Sequence, residues 1–120
     1  MAAHILVVED SRLITSAFRI LLEDAGYRVS VAESVKEMLA CADAEKMDLM
    51  LLDLTLPDGN GLDALGELTE RGARPGIVLA MTGDDQPATR KRCFEAGCVE
   101  VLVKPVSIKE LRRIIAARLS

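Results

Sequence analysis

Aromatic bulk is almost missing from this chain: no Trp, one Tyr and two Phe stand among 120 residues. A base-stacking nucleic-acid platform needs planar side chains, and so does a stacked flavin; neither is supported. Three cysteines, Cys41, Cys93 and Cys98, are an odd number without metal-ligand spacing. They argue against a disulfide framework or a structural zinc site, and read as reduced thiols of a cytoplasmic protein. No apolar run approaches the length that a bilayer demands. The N-terminus has no basic segment followed by an apolar stretch and a small-residue cleavage site, so no secretory signal is expected. There is no internal repeat, linker or low-complexity segment.

What the chain has in quantity is aliphatic. Half its residues are hydrophobic, enough for one core of Leu, Val, Ile, Ala and Met. The length fits one domain over residues 1–120. The net charge of −4 is unevenly spread: residues 1–85 carry 7 Lys and Arg against 16 Asp and Glu (net −9), and residues 86–120 carry 8 against 3 (net +5). The basic third is either a solvated helix face or a surface for an acidic partner. Overall acidity and the lack of interleaved aromatics argue against direct nucleic-acid binding.

Strand and helix patterns alternate. Residues 4–9, 28–32, 48–53, 76–81 and 99–103 read as strands; 11–25, 34–45, 61–71, 86–96 and a last segment from Ser107 read as helices. Asp10 or Ser11 caps the first helix and Gly26 ends it. Near-continuous apolar strands separated by single helices predict an α/β fold with a parallel sheet covered on both faces. Right-handed crossovers are the strong default, and five strands of this length suggest a flavodoxin-like, doubly wound (βα)5 sheet with strand order 2-1-3-4-5. Ligands of such sheets sit at the strand C-termini where the order reverses, between strands one and three.

Four strand tips carry polar residues. Ile5–Val8 runs into Glu9 and Asp10; Met50-Leu51-Leu52 ends at Asp53, before the turn Pro57-Asp58-Gly59-Asn60; Ile77–Met81 reaches Thr82; Val99–Val103 reaches Lys104. A buried carboxylate is costly without a cation, so Asp53 should have a partner. Clustered carboxylates disfavour one another's ionisation, and a hard divalent cation such as Mg²⁺ reverses that penalty. A carboxylate can act as a nucleophile toward phosphorus, and transfer then needs positive charge on the moving group. Lys104 can supply that charge, Thr82 a hydroxyl, and Gly83 room. Each residue alone also has a plain reading as a cap, turn or solvated strand end; their agreement in order and position points to phosphoryl chemistry.

Val8-Glu9-Asp10, Asp53 with Pro57 and Gly61 after it, Thr82-Gly83 and Lys104-Pro105 together resemble the receiver domain of two-component response regulators, the CheY-like superfamily, over essentially the whole chain. The resemblance implies a signalling switch rather than a turnover enzyme. Asp53 would accept phosphate from a histidine kinase phosphohistidine or a phosphotransfer protein. Asp10, Asp53 and the backbone carbonyl of Thr55 would bind Mg²⁺, with Glu9 assisting through water. Lys104 and Thr82 would contact the phosphoryl group, and the Lys104-Pro105 bond is expected to be cis. The resemblance also implies that Thr55 and Asp84 flank the water that ends the phosphorylated state. Phosphorylation would alter the surface of the fourth helix, fifth strand and fifth helix; the basic final third, read from its charge, could support homodimerisation through that face. One departure stands out: Val101 occupies the place of the usual aromatic switch residue, and a valine cannot swing as a ring does.

Three competitors are weaker. A haloacid-dehalogenase-type phosphatase needs a second Asp where Thr55 stands. An FMN carrier needs a Ser/Thr/Gly-rich phosphate loop where Glu9 and Asp10 would repel the phosphate. A degenerate receiver would have lost site residues, and all are present here.

Overall fold

Both faces of the central strands are covered, and the strand sequences explain how. Side chains alternate across a strand, so an unbroken apolar run feeds two cores. In the computed structural model, which describes residues 2–120, β1 (His4–Val8) sends Ile5 and Val7 to one side and Leu6 and Val8 to the other. β3 (Leu49–Asp53) divides in the same way, with Leu49 and Leu51 opposite Met50 and Leu52. β6 (Ile77–Thr82) places Leu79 and Met81 against Val78 and Ala80.

Helix α1 (Arg12–Asp24) covers the first side with Phe18 and Leu22, beside α5 (Ile108–Leu119) with Leu111, Ile114 and Ile115. Helix α2 (Val35–Ala44) covers the second with Met38 and Ala42, α3 (Gly61–Arg71) with Ala64, Leu65 and Leu68, and α4 (Pro87–Glu95) with Cys93. The outer strands are β2 (Arg28–Ala32) and β7 (Glu100–Val103). All pairings in this sheet are parallel, in the order β2-β1-β3-β6-β7. This is the expected flavodoxin-like order once a small hairpin is set aside, and the crevice between β1 and β3 lies where it should. Ser11, rather than Asp10, caps α1 by accepting from the Ile14 N–H.

That hairpin is the main departure from the sequence reading, which placed only a turn after Asp53. β4 (Thr55–Leu56) and β5 (Gly59–Asn60) pair antiparallel across Pro57-Asp58. At the hairpin tip, Asp58 accepts from the Val35 N–H (2.7 Å) and the Lys36 N–H (3.1 Å), so it caps α2 from outside the helix. The Val35 N–H, against opposing desolvation and together with that of Lys36, holds the Asp58 carboxyl below the usual aspartate value. A carboxyl depressed on folding contributes stability that is complete above the ordinary aspartate range and is lost as pH falls through the depressed value. Asp58→Ala should therefore lower the thermal midpoint at neutral pH and approach wild type in acid. A wild-type-to-variant gap that persists unchanged into acid would contradict the cap.

The cysteines are free thiols, with Cys93 fully buried and Cys98 nearly so. Burial pushes the Cys98 thiol up to about 11 and raises that of Cys93 as well. Thiolate, not thiol, is the reactive form. A disulfide reagent at mildly alkaline pH should leave both untouched in the native protein and modify all three cysteines after denaturation. Prompt native modification of Cys98 would show the interior to be open.

Candidate functional site

Three apolar strands deliver their polar ends to one place. Glu9 follows β1, Asp53 closes β3, and Lys104 follows β7, where its backbone N–H extends the ladder to the Thr82 carbonyl (2.8 Å). Glu9 and Asp53 are buried, at 2% and 4% exposure, while Asp10 is exposed. Lys104 Nζ donates to Asp53 Oδ2 and to Glu9 Oε2, both at 2.9 Å. The cation that a buried Asp53 requires is therefore Lys104. One ammonium serves two carboxylates, with charge-assisted bonds on both sides. The Lys104-Pro105 bond is cis. The second oxygen of Asp53, Oδ1, accepts from the Thr55 N–H (3.1 Å), and Glu9 Oε1 accepts from the Ser11 N–H (3.3 Å).

The electrostatics follow from this geometry. Burial raises the Glu9 carboxyl above its usual value; the Lys104 hydrogen bond opposes this, and the charge of Asp53 adds to it. Burial alone would lower the Lys104 ammonium, but hydrogen bonds and charge from Asp53 and Glu9 outweigh it and raise the lysine. The site thus holds more negative charge than one lysine balances.

Carboxylate oxygens of Glu9, Asp10 and Asp53 lie within 4.8 Å of one another, and no His or Cys belongs to this group. An all-oxygen, multiply anionic donor set at this spacing fits a hard divalent cation such as Mg²⁺. Thr82, at the end of β6, is buried, and its Oγ1 accepts from the Asp84 N–H (3.0 Å) and lies 3.3 Å from the Asp84 carbonyl. Thr55 is exposed in β4.

The fold therefore brings Glu9, Asp10, Asp53 and Lys104 together at the sheet's switch point, with Thr82 at the adjoining tip of β6. Val101 is buried among the residues facing α2, α3 and α4. The Asp84 carboxylate accepts from the Gln86 N–H (3.0 Å) and the Thr89 hydroxyl (2.8 Å). Sequence reasoning missed Thr89 altogether. An Asp shortly before a helix that begins with proline was the available signal.

The chain matches the family model described as response regulator receiver domain over residues 5–116. It is 37% identical over 109 residues to the KDP operon transcriptional regulatory protein KdpE of Escherichia coli, covering 91% of this chain and 48% of that protein. It is 36% identical over 116 residues to the alginate biosynthesis transcriptional regulatory protein AlgB of Pseudomonas aeruginosa, covering 97% and 26% respectively. The chain thus spans half or less of the length of these curated relatives. Among solved structures, a CheY-like receiver domain protein from Methanospirillum hungatei superposes with a TM-score of 0.90 at 28% identity, covering 99% of this chain and 94% of that one. The non-phosphorylated HemR receiver domain of Leptospira biflexa gives 0.88 at 31% identity, with 98% and 94% covered. Sequence, topology and the acidic crevice agree, and the chain belongs to the response regulator receiver domain family.

Proposed function

We propose that residues 1–120 form one phospho-accepting switch in which Asp53 takes a phosphoryl group from the phosphohistidine of a histidine kinase or phosphotransfer protein. The observation that carries this reading is the single Lys104 ammonium donating at 2.9 Å to both Asp53 and Glu9 beneath the crevice. In the transfer, an Asp53 carboxylate oxygen forms a bond to phosphorus as the phosphorus–nitrogen bond to the donor imidazole breaks. The imidazole leaves as a neutral base after taking a proton.

Asp10, Asp53 and the Thr55 carbonyl would hold Mg²⁺, with Glu9 acting through water. When bound, the metal offsets negative charge on the phosphoryl oxygens. Lys104 stands where further negative charge arrives and exchanges a carboxylate partner for a phosphoryl oxygen. Thr82 donates its hydroxyl to another. The adduct later hydrolyses, which returns the switch to its resting state, and Thr55 and Asp84 tune its lifetime.

The readout surface is α4, β7 and α5, within the basic segment 86–120, and it is suited to an acidic partner or to a second phosphorylated copy. Among the described residues no helix is long and apolar enough to cross a membrane, and a cytoplasmic site of action fits both this and the reduced thiols. The transcriptional output of the longer relatives would reside in segments that this chain does not match.

Acetyl phosphate with Mg²⁺ should add one phosphate mass per chain, and chelation of the metal should prevent it. A chain that stays unmodified under these conditions would refute the reading.

A further inference from the structure

Helix α4 starts poorly on its own. Its N-cap residue, Gln86, makes no side-chain capping bond, and Pro87 at the first turn brings no N–H. The start of this helix is held instead by Asp84, whose two carboxylate oxygens accept separately from the Gln86 N–H and the Thr89 hydroxyl. Thr89 is only 5% exposed, so its hydroxyl has no ready exchange with water. The backbone of the same Asp84 engages Thr82: the Asp84 N–H donates to Thr82 Oγ1, and the single Thr82 hydroxyl proton points to the Asp84 carbonyl.

A hydroxyl has one proton to give. If Thr82 donates to a phosphoryl oxygen it must abandon the Asp84 carbonyl, and the loop that Asp84 organises must readjust. Thr89 pins that loop to α4. Val101, buried on β7, offers no rotating ring to carry the same message.

We propose that the Thr89–Asp84–Thr82 hydrogen-bond chain is a latch that holds the resting state and couples phosphoryl occupancy at Asp53 to α4, with Thr89 as a positioning residue; this rests on the phospho-acceptor reading above. The latch stabilises the unmodified form against the modified one. Weakening it must therefore favour the modified form, which is the opposite of what general damage to the site would do.

The test is a titration of beryllofluoride with Mg²⁺, a phosphoryl mimic, followed by amide signals of residues 88–95 in wild type, Thr89→Val and Thr89→Ser. Thr89→Val keeps the shape and removes the hydroxyl. It should lower the half-saturating beryllofluoride concentration roughly threefold to tenfold, the worth of one net hydrogen bond. Thr89→Ser should stay close to wild type. Asp84→Ala, which removes both carboxylate acceptors, gives a second route to the same shift should Thr89→Val fold poorly. Unchanged or weaker binding in Thr89→Val and Asp84→Ala would overturn the latch. If wild type neither responds to beryllofluoride nor takes a phosphate mass from acetyl phosphate, the underlying phospho-acceptor reading fails instead.

Discussion

Asp53→Asn should take up no phosphate from acetyl phosphate and Mg²⁺ while remaining folded. The amide is nearly the same size as the carboxylate, so packing around it changes little. Its oxygen carries no full charge, however, and it cannot serve as a nucleophile toward phosphorus. The loss should be at least about 100-fold in labelled protein, because no neighbouring side chain can take over. Glu9 is buried behind the Lys104 bond, and Asp10 is exposed on the rim of the crevice. Stability separates this result from unfolding. Lys104 keeps Glu9 as a partner in the variant, and one source of carboxylate repulsion disappears. Asp53→Asn should thus melt no lower than wild type in the absence of metal. An adduct of normal yield in this variant would move the acceptor to another residue. A collapsed melting temperature would show that the Lys104–Asp53 bond, rather than relief of repulsion, dominates the energetics of the crevice.

The second large effect is steric. Gly61 opens α3 directly against the strand that bears Asp53. A Cβ added there would overlap the backbone oxygen of Asp53 and lie 3.0 Å from Leu52 Cδ1. The first neighbour is main chain and cannot rotate away. The second belongs to a fully buried side chain. Alanine in place of glycine favours a helix by about 1 kcal/mol. A core overlap of this kind typically costs 1–3 kcal/mol or more, so the clash outweighs the propensity. Gly61→Ala should lose about 2–4 kcal/mol of stability in denaturant unfolding. It should also slow phosphate uptake, because relieving the overlap displaces the backbone of Asp53 itself. A variant within about 0.5 kcal/mol of wild type would mean that α3 shifts freely over β3, as an ordinary surface substitution would.

The two substitutions differ in what sequence reasoning could see. Asp53 announces itself as a carboxylate at the end of an apolar run, and the need for a cation follows from electrostatics alone. The strands and helices were also open to inspection, since two-residue alternation and helical spacing are local patterns. The strand order was the flavodoxin-like one that five such strands suggest, and the parallel pairings bear it out. Gly61 is different: as a residue type it fits a turn, and nothing nearby in the chain reveals that the Asp53 carbonyl lies against it. The Pro57-Asp58 turn was visible, but not its closure into a hairpin that carries Asp58 to the start of α2. Thr89 looked like an ordinary helix residue, and nothing in the local sequence showed that the Asp84 carboxylate supports α4.

Periodicity and the chemistry of strand ends were thus enough to name the architecture, the crevice and the residues around it. Which of them touch had to come from the assembled chain: one ammonium shared between carboxylates 95 and 51 positions away, a helix capped from a distant hairpin, and a threonine tied through Asp84 to α4. Hydrophobic alternation is written over a few neighbouring residues, whereas a hydrogen bond between remote side chains depends on angles and ångströms fixed only when every layer has packed.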